Sequence, residues 1–176
     1  MNSASSVSVL CVSALALGCG IAQAAAPATA AEPEVTTVTY GDWVVRCQQA
    51  AGAARQCEAL QTLAIDGRAI ARLAVARLAP SGDLAVAVNL PSNVAFTAPL
   101  TLGSETKAGP QLVLGWRRCL PNGCFADVTP AAAVFAQWQA QTVPGALGYV
   151  DGNGNAVALP FSFRGLSQAI EGLGPQ

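Results

Sequence analysis

Apolar and polar residues alternate through much of the chain, the period of strands with one face in a core. Over Thr37 to Gln48, Trp43, Val45 and Cys47 fall on one face and Asp42, Val44, Arg46 and Gln48 on the other, which predicts a half-buried strand. Asp66-Gly67 lies between two runs without a breaker, Gln56 to Ile65 and Arg68 to Leu78. Asp-Gly between such runs predicts a hairpin with a two-residue turn. Simple pairing across it sets Gln61 opposite Arg72 and Leu63 opposite Ile70. The two faces of this hairpin are then not cleanly sorted, and its core side stays open.

Pro80-Ser-Gly-Asp83 predicts the next turn, followed by a strand from Leu84 to Leu90 and apolar runs at Leu100 to Leu102 and Leu112 to Trp116. Pro91 to Pro110, rich in Pro and Gly, reads as irregular surface. Thr129-Pro130 offers an N-cap and first-turn proline for a short helix to about Ala140, with Val134, Phe135 and Trp138 at helical spacing. A last hairpin, Leu147 to Val150 with Ala156 to Phe161, precedes a terminal helix over Gly165 to Leu173. The expected fold is mainly β: a single antiparallel β-sandwich or open barrel of about eight strands with two short helices.

Charge separates the first residues from the rest. No charged side chain precedes Glu32, and Val7 to Leu17 is an apolar run followed by Ala22-Gln23-Ala24, a small-x-small cleavage site. Residues 1–24 therefore read as a signal peptide, although Met1 to Ser6 carry no basic side chain. Ser13, Gly18 and Gly20 interrupt the run, which argues against a membrane span of about twenty residues. Lipid attachment at Cys19 is the alternative, with Ala16 standing where a larger aliphatic residue is usual. Residues 25–36, rich in Ala and Pro at their start, read as a tether, and 37–174 as one domain.

Cysteines remaining after such cleavage are Cys47, Cys57, Cys119 and Cys124. An even number in an exported chain predicts disulfides, and of three pairings the local ones, Cys47–Cys57 and Cys119–Cys124, are favoured because each flanks a turn. Zinc is disfavoured, since no Cys-x-x-Cys spacing and no histidine occur. The absent histidine also removes the commonest general base and the usual triads. A formal net charge of −1 with no basic stripe argues against nucleic acid.

Carboxylates remain as candidate chemistry, but Asp66, Asp83 and Asp151 stand in turn signals where aspartate serves locally. Asp151-Gly-Asn-Gly-Asn155 starts like a calcium loop, then departs from it at Ala156 and Ser162. Trp43, Trp116 and Trp138 read as core rather than as a groove lining. Arg117 and Arg118, with the single lysine Lys107, are the candidate interaction residues.

Four segments together carry a resemblance: Tyr40-Gly-Asp-Trp-Val-Val-Arg-Cys47, Gln56-Cys-Glu58 with Gln61, Trp116-Arg-Arg-Cys-Leu-Pro-Asn-Gly-Cys124, and Pro160-Phe-Ser-Phe-Arg-Gly-Leu166. In this order the chain resembles the invasion-associated locus B family of exported bacterial proteins over about Tyr40 to Leu173. The resemblance implies a periplasmic, surface-associated or secreted protein of a family named for bacterial invasion of host cells, with no catalytic residue and no cofactor to carry over.

The expectation is an exported binding or interaction protein of the envelope, not an enzyme, with a protein, envelope or host-surface partner. The alternatives are a hydrolase that works with carboxylates alone, drawing on Asp66, Asp83, Asp127, Asp151, Glu58 and Glu105, and an accessory or chaperone-like envelope factor. Oligomeric state is not readable from the sequence.

Overall fold

In the computed structural model, residues 32–104 and 109–175 are described; the expected signal peptide and Cys19, most of the tether, and Glu105 and Lys107 lie outside them. The order of elements is β1 (Glu34–Tyr40), β2 (Trp43–Gln49), β3 (Gln56–Ile65), β4 (Arg68–Arg77), β5 (Leu84–Leu90), β6 (Leu100–Ser104), β7 (Gln111–Leu120), β8 (Gly123–Val128), α1 (Ala132–Gln139), β9 (Gly145–Val150), β10 (Ala156–Phe161) and α2 (Leu166–Gly172). The ten strands form one antiparallel sheet in the order β1-β2-β3-β4-β5-β8-β7-β6-β9-β10. The mainly β fold with two short helices is as the pattern predicts, with ten strands in place of about eight.

Two differences account for the added strands. The stretch Thr37 to Gln48 is two strands, because Gly41, at φ 57°, turns the chain and pairs Tyr40 with Trp43. Glycine at the first central position of a two-residue loop suits a type II′ hairpin. Val35, Thr36 and Thr37 then extend β1 back to Glu34, into the expected tether. The second addition, β8, is the return limb of the Cys119–Cys124 turn.

The Asp66-Gly67 turn forms as expected, with both residues at positive φ, 49° and 77°. Its faces are sorted by a feature the simple pairing lacks. A β-bulge after Leu63 shifts the register, so Leu63 pairs with Ala71 and Gln61 with Leu73. Ala59, Gln61 and Leu63 on β3, with Ala71, Leu73 and Val75 on β4, are all buried. One extra residue in a strand moves every later side chain to the other face.

The buried face continues through Val86, Val88 and Leu90 of β5, Leu100 and Leu102 of β6, and Leu147 and Leu159 of β9 and β10. Long β7 bends between partners: Gln111 to Leu114 pair with β6, Gly115 to Leu120 with β8. Helix α1 starts later than expected, with Ala131 rather than Thr129 as N-cap and no side-chain cap. Its Phe135 and Trp138 join Phe161 and Phe163 in an aromatic cluster, with ring centroids 4.7–5.9 Å apart. Helix α2 buries Leu166, Ala169 and Ile170, and Gly172 lies against the Tyr40 ring.

Candidate functional site

Three of the four segments that carry the family resemblance contribute residues to one place, where the chain leaves β10 and crosses to β2 and β3. The Ser162 N–H donates to Gln61 Oε1 at 2.8 Å, and Gln61 Nε2 donates to the carbonyls of Ser162 (3.1 Å) and Asp42 (3.2 Å). Trp43 Nε1 donates to the same Ser162 carbonyl at 2.9 Å. Among the described residues Gln61 and Ser104 are the buried polar side chains, and Gln61's burial is explained by this set of partners. The Asp42 N–H donates to the Arg164 carbonyl at 3.1 Å. Arg164 Nε donates to Asp42 Oδ2 at 3.0 Å and Nη2 to Oδ1, a two-point ion pair.

Two glycines make this crossing possible. A Cβ on Gly165, at φ 89°, would lie 2.0 Å from the Tyr40 carbonyl, and one on Gly41 would lie 2.6 Å from the Arg164 carbonyl. The two backbones touch, so neither position has room for a side chain. Hydrogen bonds from Arg164 and Ser162 hold the Asp42 carboxyl below the usual carboxylate range. These groups are saturated by one another. They form a latch that joins the end of β10 to β3, to the start of β2 and to the β1–β2 turn.

The cysteines pair as favoured, Cys47–Cys57 across β2 and β3 and Cys119–Cys124 across β7 and β8. Each pair occupies directly opposed ladder positions, with Cα atoms 4.0 and 3.9 Å apart. Among the described residues no group of three or more His, Cys, Asp or Glu could hold a metal ion.

The candidate carboxylates occupy separate places. Asp66 sits in the β3–β4 turn, Asp83 precedes β5, Glu58 lies on β3 and Asp127 on β8. Asp151 organises the β9–β10 turn: its Oδ1 accepts from the N–H groups of Asn153 (2.9 Å) and Asn155 (2.8 Å), and Oδ2 from Asn155 Nδ2 (3.0 Å). The Asn155 hydrogen bonds lower its pKa, while burial and then the Asp151 charge raise that of Tyr149.

The two arginines on β7 differ. Arg117 is the extra residue of a bulge, and its Nε donates to Asp127 Oδ1 at 2.6 Å. Arg118 pairs with Phe125 across the ladder, Phe125 with Asn89, Asn89 with Arg72 and Arg72 with Thr62. Opposed residues of an antiparallel sheet share a face. Thr62, Arg72, Asn89, Phe125 and Arg118 therefore form one row across the outer face. Arg72 and Arg118 are exposed, with no acidic partner among the described residues, and stand three strand spacings, about 14 Å, apart. Beside the row, Thr62, Ile70, Arg72, Asn89 and Asn122 line an open depression of about 300 Å³.

Trp43 and Trp138 are core, 1% exposed each, but Trp116 is only half-buried and departs from that expectation. It sits where β6 has ended, and Phe96 packs edge-to-face on it at 5.1 Å. Phe96, 52% exposed, was not singled out by the alternation, since it stands in the Pro/Gly-rich stretch; the signal was a lone large aromatic among small residues. Arg72 and Asn89 were missed because only the register reveals that they line up with Arg118.

Known proteins match this arrangement. The profile of the invasion associated locus B (IalB) protein matches residues 43–174. A crystal structure of invasion associated protein B from Bartonella henselae superposes with a TM-score of 0.65 at 20% identity, covering 78% of this chain and 94% of that one. No curated protein matches. The family match spans both disulfides, the latch from Trp43 to Gly165 and the outer row, and the chain belongs to the invasion associated locus B family.

Proposed function

We propose that this protein is an exported binding protein of the cell envelope, or a secreted one, that recognises an acidic partner surface through the outer row of the sheet. The observation that carries this reading is the alignment of Arg72, Asn89, Phe125 and Arg118 on one face. Two exposed guanidinium groups with no ion-pair partner among the described residues supply charge, and half-buried Phe125 supplies an apolar platform between them. The two disulfides support export, since such crosslinks persist in oxidising compartments. Similarity to a protein described as invasion associated makes the host-cell surface a candidate setting.

A binding role also accounts for where the reactive groups are used. Asp127 is held by Arg117, Asp42 by Arg164 and Asp151 by its own turn. The thiols are crosslinked. The test is binding of the oxidised protein to envelope fractions and to host-cell surfaces, beside the double variant Arg72→Glu/Arg118→Glu. Saturable binding that weakens with salt and falls at least about tenfold in the variant, at unchanged melting temperature, is expected. Equal binding by both proteins, or none by either, refutes the reading.

A further inference from the structure

The sheet has two edges, β1 and β10, and they are not equivalent. The β10 edge carries Pro160, and the chain that follows is latched onto β3. Proline has no N–H to offer an incoming strand, so that edge is blunted. The latch holds the β1–β2 turn through Asp42 and Trp43, and β1 runs from that turn as the outermost strand of the sheet. Every residue of β1 from Glu34 to Thr39 is exposed, Val35 by 47% and Val38 by 49%. Between Val35 and Tyr40 the strand has no charge, no proline and no bulge, which are the usual devices that stop strands from adding to an edge.

The register states which groups the open edge offers. Tyr40 and Trp43 flank a two-residue loop and therefore form a hydrogen-bonded pair, with bonded and non-bonded pairs alternating from there. Val38, Thr36 and Glu34 are then bonded to β2. Val35, Thr37 and Thr39 direct their N–H and C=O groups outward.

These three groups are self-complementary. An antiparallel copy of β1 centred on Thr37 sets Thr37 against Thr37 and Val35 against Thr39, and it satisfies all three outward N–H groups and all three outward C=O groups on both strands. It places Glu34 against Tyr40, so no like charges oppose along the strands, and the nearby cation is Arg55, whose Nη2 donates to Thr36 Oγ1 at 3.2 Å. It sets Val38 beside Thr36 of the other copy on the core-facing side, where Val38 extends the buried surface of Val45. Because β10 cannot serve as the second edge, the association closes as a two-fold pair and does not run on as a filament.

We propose that β1 is a homodimerisation edge, through which two copies of this chain pair in antiparallel register about Thr37 to make one continuous sheet. A seven-residue strand buries less than a standard interface, so the dimer is weak and forms at high local concentration. This face is distinct from the arginine row, and pairing doubles the number of rows carried by one particle.

Sedimentation of the full protein, oxidised as exported, tests this across a concentration series. A reversible dimer with a dissociation constant at or below about 100 µM is expected. Thr37 is exposed and lies on the two-fold axis, so Thr37→Lys sets two lysines face to face and Thr37→Glu two glutamates. Each variant alone is expected to dimerise at least about tenfold more weakly, and an equimolar mixture to recover a mixed dimer. Circular dichroism melts of both variants confirm that the fold persists. A wild-type protein that stays monomeric at about 500 µM overturns the proposal. So does a dimer indifferent to both substitutions, or a mixture that fails to pair.

Discussion

Replacing Gln61 by leucine keeps the size of the side chain and removes the bridge between β3, the Asp42 turn and Ser162. Three hydrogen bonds go at once: the one from the Ser162 N–H at 2.8 Å, and those to the Ser162 and Asp42 carbonyls at 3.1 and 3.2 Å. The Ser162 carbonyl keeps Trp43 Nε1 as a donor. The Ser162 N–H, which is part-buried, keeps no partner, and orphaning such a donor costs about 1–3 kcal/mol. The two lost bonds to carbonyls add about 1 kcal/mol each, partly offset by burying apolar leucine in place of the amide. The net expectation is destabilisation by about 2–4 kcal/mol, a large part of the 5–15 kcal/mol that holds a typical domain. In urea, with an m-value of about 2 kcal/mol/M, the midpoint should fall by about 1–2 M without a change in slope. Amide exchange at Ser162 should accelerate along with it. A midpoint within about 0.2 M of wild type would refute the latch as the contact that joins β10 to β3 and the Asp42 turn.

Three further outcomes follow from the same geometry. Gly165→Ala combines positive φ with a Cβ 2.0 Å from the Tyr40 carbonyl, whereas Gly154→Ala combines positive φ with open space; urea titration should show a loss above about 3 kcal/mol for the first and about 1 kcal/mol for the second. Reducing the disulfides releases loops of sequence separation 10 and 5, worth about 3 and 2 kcal/mol, so thermal melts with and without reductant should differ by roughly 10–20 °C. Asp42 and Asp151 titrate below the ordinary carboxylate range in the folded protein, so their stabilisation is full above about pH 4 and is lost as pH falls further. Melting temperature should therefore decline below pH 4, and less steeply in Asp42→Asn; equal slopes would show that this carboxylate is not linked to folding.

Alternation along single strands was legible from the sequence because it depends only on which side chains meet the core. It placed Trp43, Val45 and Cys47 together, while helical spacing marked both helices, the Asp-Gly signal the β3–β4 turn, and the flanked turns the cysteine pairs. Features that depend on pairing between strands were not legible. The bulge after Leu63 shifts the whole β3–β4 register, and no local propensity marks it. The β1–β2 turn was hidden because a loop of two residues, Gly41-Asp42, leaves the phase of the alternation unchanged. Gln61 did not stand out, because the core side of its hairpin was left open and its role depends on Ser162, 101 residues away in the chain. The outer row is invisible for the same reason, being assembled from β4, β5, β8 and β7. Thr129-Pro130 read as a helix start, yet α1 begins after Ala131 because helix ends shift by a residue or two where packing of Phe135 and Trp138 sets the phase.

The central claim is that this chain works as an exported scaffold whose four domain cysteines are spent as crosslinks, and intact mass of the protein from its native host tests it most directly. Protein recovered from the envelope or medium should lack residues 1–24 and gain about 4 Da on reduction, two hydrogens for each bridge. A full-length chain in the cytoplasm, with Cys47, Cys57, Cys119 and Cys124 all alkylated without reductant, would contradict it.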